Sequence, residues 1–401
     1  MRKLTQEISQ QRPLDAVLPD DIKTVYLPCR VIRKNHATPE NVVQLRKELD
    51  ELLLEYDLIV FDSNELLKLS NIDNVHRFFD GYHNRNKVIW IIGDAQGRAL
   101  NYYRNFCNDY GYEPLNLLPF NMCQFLHQPM LLGRKLDFEI YNRNKKFNCF
   151  VYGMRSHRHI LVADIYMNNL NEHGYITYGD PRVNESAHSG IFSEHPERVK
   201  SFYRDNASLF PLTIDENCHD FKNRCTWSYE LFNCVEDSYL TVCTESFYSS
   251  YEDLSDSDLE KLYKREHMTD RQSLEGLFPG NSCVSEKCFR PFHTGTLGLF
   301  HTTPNTLDVL RSFYDIFDDI IDHSYDTIVN DELRHQAFMK EFKRLCDLPN
   351  SEWQKIYKET LDRRIQNFET RITTLDSILK NEHKYVHYAF SMDLLNKYIG
   401  R

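Results

Sequence analysis

Short apolar runs alternate with amphipathic stretches along the early part of the chain. Thr24-Val25-Tyr26-Leu27-Pro28 and Leu58-Ile59-Val60-Phe61-Asp62 read as buried strands. Val88-Ile89-Trp90-Ile91-Ile92 ends at Gly93-Asp94 and is apolar without alternation, the pattern of a parallel strand covered on both faces. Val42, Val43, Leu45, Leu49, Leu52 and Leu53 fall at helical spacing, so a helix is predicted over residues 39–55 with Thr38 as its N-cap. One or two further helices are expected over residues 65–79. This alternation predicts a doubly wound α/β domain.

A second series starts after the basic run Arg143-Asn144-Lys145-Lys146. Phe147-Asn148-Cys149-Phe150-Val151-Tyr152-Gly153 predicts a strand closing on glycine, and residues 160–166 a helix. The basic cluster Met154-Arg155-Ser156-His157-Arg158-His159 lies between them. Strand, glycine turn, basic cluster and helix is how a Rossmann-like domain opens. Tyr239-Leu240-Thr241-Val242-Cys243 and Gly298-Leu299-Phe300-His301 read as strands, residues 306–317 as a helix, and residues from 330 onward as mainly helical. Residues 180–225 are too weakly patterned for an assignment, and residues 253–275 form a charged insert of helical character. There is no internal repeat, low-complexity tract or heptad run.

Composition narrows the class. A chain of 401 residues exceeds one ordinary core, so two domains are expected. A hydrophobic content of 41% with 13% aromatics excludes wholesale disorder. The net charge of −11 argues against indiscriminate nucleic-acid binding, although Arg134-Lys135 and the run at Arg143 leave a basic middle. The 11 cysteines show no CxxC pair; reduced thiols in a cytosol are expected, and no structural zinc. Apolar runs are too short for a membrane span and the N-terminus has no signal-peptide core, so a cytoplasmic protein without a membrane partner is the expectation.

Candidate chemistry gathers at three places. Arg155, His157 and Arg158 sit at a strand-to-helix turn, where arginine forks and helical N–H groups converge on an anion. A solvated surface turn or a set of domain-interface salt bridges is the plainer reading. Thr244 and Glu245 follow a strand, and the carboxyl ends of parallel strands are where ligands gather. Ser285-Glu286-Lys287, with Arg290 after it, places a carboxylate beside two cations at a helix start, a cradle for a nucleotide diphosphate; an exposed intrahelical pair is the alternative. Asp94 has the setting of a general base on an acceptor hydroxyl, or else caps the residues that follow; Asp62 has a similar setting. Tyr82-His83-Asn84-Arg85-Asn86-Lys87 and Tyr102-Tyr103-Arg104 suit stacking on a nucleobase, or packing within their own domain. His36 and His76 read as surface or packing histidines.

Three pieces in order, Arg155-Ser156-His157-Arg158, Val242-Cys243-Thr244-Glu245 and Val284-Ser285-Glu286-Lys287-Cys288-Phe289-Arg290-Pro291, carry a family likeness. Thr306-Leu307-Asp308-Val309-Leu310 and Ile321-Asp322-His323-Ser324-Tyr325-Asp326 follow the third. Through them residues 147–342 resemble glycosyltransferases of the GT-B architecture, most of all those of tailed phages, including proposed DNA arabinosyl- and glucosyltransferases, and more distantly fucosyltransferases. The resemblance implies an α/β fold of two Rossmann-like doubly wound domains facing a central cleft, with a helical C-terminal tail. Residues 1–146 would form the acceptor side, 147–345 the nucleotide-sugar domain, and 346–401 helices packing back on them.

The same resemblance implies a nucleotide-diphosphate sugar as donor, a UDP-sugar for preference, with no metal and no separate cofactor. Glu286 would bind ribose hydroxyls, and Arg155, Arg158 and Lys287, with Arg290 in support, would steady the departing diphosphate. His157, Thr244, Glu245 and Ser285 would complete the donor site. The implied sugar is arabinose or glucose. The implied acceptor is a 5-hydroxymethylcytosine-type base in phage DNA, extruded from the duplex in the cytoplasm of an infected host. Gly295-Thr296-Leu297-Gly298-Leu299-Phe300 is less apolar than the family pattern and the insert at 253–275 is long, which leaves the sugar open. A surface-glycan acceptor and a non-catalytic nucleotide-binding module are the alternatives. The oligomeric state is not legible.

Overall fold

The computed structural model describes residues 21–28, 39–62, 76, 78–92, 103–104, 107–108, 111–119, 136–151, 156–179, 196–214, 229–245, 248, 284 and 286–379. The chain forms two compact units that interleave in sequence. The first comprises Met1–Leu126, Ser249–Val284 and Thr373–Arg401; the second comprises His127–Tyr248 and Ser285–Ile372. Both are α/β, with parallel sheets.

The first sheet contains β1 (Thr24–Pro28), β2 (Leu58–Asp62), β3 (Val88–Ile92) and β4 (Leu117–Pro119), paired in chain order. β1, β2 and β3 are the apolar runs read from the sequence and β4 is an addition to them; Val25, Leu27, Ile59, Phe61, Val88 and Trp90 pack into one core. Helix α1 (Pro39–Leu52) adds Leu45, Leu49 and Leu52 to that core. It stops short of the expected residue 55, in a turn that leaves Leu54 exposed and brings Asp57 N–H to the Lys23 carbonyl at 2.8 Å. Tyr103 and Tyr82 are core residues rather than stacking platforms. The Tyr103 hydroxyl meets His76 Nε2 at 3.0 Å and accepts from Leu115 N–H at 2.8 Å, and the Tyr82 hydroxyl donates to Asp50 Oδ1 at 2.8 Å. His76 is the packing histidine expected. Thr38, His36, Asp94 and most of residues 65–79 lie outside the described residues.

The second sheet runs β6-β5-β7-β8, from β5 (Lys145–Phe150), β6 (Gly174–Thr177), β7 (Ser238–Thr244) and β8 (Leu297–His301). Between β5 and β6 lies α2 (Ser156–Met167); α3 (Glu197–Asp205) and α4 (Tyr229–Glu236) precede β7; α5 (Glu286–Thr294) precedes β8. Four helices follow: α6 (Leu307–Arg311), α7 (Asp331–Asp347), α8 (Asn350–Glu359) and α9 (Leu361–Leu379). The Asn330 side chain caps α7, accepting from Leu333 N–H at 3.0 Å.

Alternation along the strands divides this sheet into two unlike faces. Phe147, Cys149, Leu240, Val242, Leu297 and Leu299 share one face and one core with Leu161 and Ile165 of α2 and with Phe338 and Phe342 of α7. Asn148, Thr241, Cys243 and Phe300 occupy the other face, where α5 lies. The polar groups there satisfy one another: Asn148 Nδ2 donates to Thr241 Oγ1 at 3.0 Å, and Thr241 and Thr296 hydroxyls meet at 2.7 Å. Gly295, at φ 65°, ends α5 in the left-handed region that favours glycine. Trp353 of α8 stacks on Tyr239 at 5.2 Å and donates its indole N–H to the Leu345 carbonyl at 3.1 Å.

Two segments depart from the sequence pattern. The helix expected over 306–317 stops at Arg311. Beyond it, the Asn367 amide bonds Asp315 N–H and C=O at 2.9 and 2.7 Å, and Asp315 Oδ1 takes Phe317 N–H at 2.8 Å. Side chains thus supply the partners that helical turns would have used. Helix α3 lies in a stretch without a clear pattern, and it buries only Val199, Phe202 and Tyr203.

Gly174 opens β6 directly beneath the Phe147 ring; a Cβ there would come within 2.3 Å of it. Gly174→Ala is therefore expected to cost about 1–3 kcal/mol through overpacking, read as a lowered midpoint in urea unfolding.

Candidate functional site

In the second sheet β6 lies to one side of β5, and β7 and β8 to the other. The chain therefore reverses its winding between β5 and β7, and the carboxyl ends of those strands are where an open parallel sheet leaves a crevice for ligands. The residues picked out from the sequence converge there. His157 and Arg158 lie in the first turn of α2, Thr244 and Glu245 at the end of β7, and Lys287 and Arg290 in the first turns of α5.

Backbone carbonyls at the end of β7 hold this group together. Arg158 Nη2 donates to the carbonyls of Thr244 at 2.9 Å and Glu245 at 2.8 Å. His157 Nε2 meets the Glu245 carbonyl at 2.9 Å. The Glu245 side chain is 0% exposed, and its Oε1 accepts from the Cys288 thiol at 3.0 Å. Cys243 donates its thiol to the Lys287 carbonyl at 3.1 Å, tying β7 to the start of α5. Arg158, 3% exposed, thus anchors the strand end as well as charging it.

The charges are unequal. Among the described residues at this edge, Arg158, Lys287 and Arg290 accompany one carboxylate, Glu245. Their fields reach the thiols beneath. Burial pushes Cys149 up to about 12, against the pull of Arg158 and Arg290; burial also raises Cys243, against the pull of Arg290 and Lys287. Two helix N-termini add to the positive potential.

Arg155, Ser285 and Asp94 lie outside the described residues. Glu286 opens α5, and its side chain is also outside them. Sequence reasoning missed a second cluster on the α2 and α7 face. His301, the last residue of β8, meets His335 of α7 through Nε2 and Nδ1 at 3.0 Å. His335 Nε2 in turn meets Asp164 Oδ2 at 2.7 Å. These residues lie far apart in sequence, and the only local signal was a histidine closing a short strand.

Sequence reasoning also missed the turn that fastens the exit of β8. Asp326 O accepts Asn305 N–H at 2.7 Å, Asp326 Oδ2 accepts Leu307 N–H at 3.1 Å, and the Tyr325 hydroxyl accepts Phe300 N–H at 3.1 Å.

No family model, curated protein or solved structure matches this chain. Among the described residues, no helix is long and apolar enough to cross a membrane.

Burial raises the Asp326 carboxyl to about 7 from the usual 3.8. The folded state therefore binds this proton more tightly than the unfolded chain. Its contribution to stability is full below the unfolded carboxylate value and is lost as pH rises to about 7, by at most about 4 kcal/mol. Asp326→Asn keeps an oxygen for Leu307 N–H and removes the titration. Urea midpoints followed across that window should fall for the parent and stay flatter for the variant.

Proposed function

We propose that this chain is a glycosyltransferase of the GT-B architecture, moving arabinose or glucose from a nucleotide-diphosphate sugar to a hydroxyl acceptor. The observation that carries the reading is the meeting of Arg158, Lys287 and Arg290 around the end of β7, at the point where the sheet reverses its winding. Three cations and two helix starts suit a diphosphate, whose charge grows by one unit as the glycosidic C–O bond breaks. Groups already in place for that charge stabilise the transition state more than the ground state.

On this reading the second unit binds the donor and the first takes the acceptor. The acceptor hydroxyl attacks the anomeric carbon and gives its proton to a base, for which Asp94 is the candidate. Lys287 and Arg290 contact the diphosphate, and Arg158 acts from behind them through its field and through the carbonyls it fixes. Glu286, at the first position of α5, meets the ribose hydroxyls. A hydroxymethylated base in phage DNA remains the preferred acceptor, resting on family likeness.

A panel of nucleotide sugars followed by thermal shift tests the donor assignment. A UDP-sugar at about 100 times its Kd should stabilise the fold by about 2.7 kcal/mol. Lys287→Ala spares the backbone carbonyl that holds Cys243 and should weaken that donor about tenfold or more. No shift with any nucleotide sugar, or equal binding by the variant, overturns the assignment. For the acceptor, retardation of hydroxymethylated duplex DNA at low salt, relieved as salt rises, is expected; free passage at low salt removes DNA.

A further inference from the structure

The cluster of Asp164, His335 and His301 runs from a charged rim to the interior. At its outer end Asp164 pairs with Arg198 of α3, whose side chain is 49% exposed. At its inner end His301 is 1% exposed, and its Nδ1 is buried with no hydrogen-bond partner. That end lies against the residues at the end of β7: the His301 carbonyl accepts Glu245 N–H at 3.2 Å, and the His157 ring lies 5.7 Å away. The Tyr248 ring stacks on His301 at 4.2 Å, with the Arg334 guanidinium 4.2 Å over the Tyr248 ring.

Donor and acceptor roles can be assigned along this line. The hydrogen bonds of His335 and Arg198 hold the Asp164 carboxyl below its usual range against the opposing effect of burial, so it is an acceptor. His335 must then carry its proton on Nε2. A neutral His335 leaves Nδ1 bare, so His301 donates from Nε2, and His301 Nδ1 keeps a lone pair. One added proton reverses the inner half. It binds His301 Nδ1, the His301 Nε2–H bond breaks, and that hydrogen passes to His335 Nδ1. The product is a His335 imidazolium donating to Asp164 and to His301, with every nitrogen of His335 satisfied. His301 stays neutral, and its Nδ1 has become a donor.

We infer that Asp164, His335 and His301 form a proton relay through which the crevice takes up one proton when it binds a nucleoside diphosphate. The groups facing the relay are His157 and Arg158 on α2, Arg198 and Tyr203 on α3, Arg334 with its partner Asp331 on α7, and Tyr248. With the crevice empty, His157, Arg158 and Arg334 oppose a further positive charge. A diphosphate reverses that field in a medium of low dielectric and favours the imidazolium. The captured proton offsets the charge released to the leaving group. This inference rests on the reading of the crevice as a diphosphate site.

Two measurements decide it. Calorimetric titration with UDP, in buffers of different ionisation enthalpy, should show uptake of about one proton per UDP at a pH where the relay is unprotonated. His335→Gln keeps a donor for Asp164 and an acceptor for His301 but cannot hold the proton. It should bind UDP with no uptake, and with an affinity that no longer falls about tenfold per pH unit. Buffer-independent binding by the parent protein, or unchanged uptake by the variant, overturns the relay. Nitrogen-15 NMR of the ring nitrogens tests it in the protein alone: the His301 hydrogen should move from Nε2 to Nδ1 as pH falls. A His301 tautomer that stays fixed across the titration overturns the relay even where UDP binds. Absence of UDP binding with the tautomer change intact overturns the diphosphate assignment and the coupling, and leaves the proton path standing.

Discussion

The end of β7 is held by a guanidinium. Where a strand leaves its sheet its carbonyls lose their ladder partners, and a buried carbonyl left without a donor costs about 1–3 kcal/mol. Arg158 supplies donors to two of them at once, and His157 lies within hydrogen-bonding distance of one. Because the main donor is ionised, the device that closes the backbone also places permanent positive charge at the winding reversal. Structure and electrostatics are therefore one feature at this position. Arg158 is committed to backbone oxygens, while Lys287, in the first turn of α5, is half-buried.

The two faces of the second sheet do different work. The apolar face packs against α2 and α7 and bears most of the stabilising burial. The face toward α5 carries hydroxyls and an amide that bond among themselves, while the thiols of Cys243 and Cys288 bond the Lys287 carbonyl and the Glu245 carboxylate. Burial raises the Cys243 thiol, which packs there as a compact, weakly polar group.

Much of this was legible in the sequence. Uninterrupted apolar runs located β2, β3 and β7 to within a residue or two, but the helix expected over 160–166 begins at Ser156 and takes in His157, Arg158 and His159 of the basic cluster. The residues singled out at 157–158, 244–245, 287 and 290 do meet. What they do on meeting was not legible, because the carbonyls that Arg158 binds belong to residues more than 80 positions away. The line from Asp164 through His335 to His301 was hidden for the same reason. Tyr82 and Tyr103 follow the packing alternative, which the sequence left open because an aromatic beside a basic residue looks alike in a core and on a platform; only burial tells them apart. The helix beyond Arg311 failed through Asn367, a partner contributed by a distant helix.

The way the chain threads the two units has a consequence for dissection. The second unit departs at Tyr248 and resumes at Ser285, and the first reclaims the chain from Thr373. Neither unit is one uninterrupted stretch of sequence, so neither a stop codon nor a protease cut can liberate one whole. An N-terminal half-length fragment keeps the described core of the first sheet, Val25 to Leu117, and breaks into the other. Isolating the second unit requires rejoining its two segments with a short synthetic bridge in place of residues 249–284.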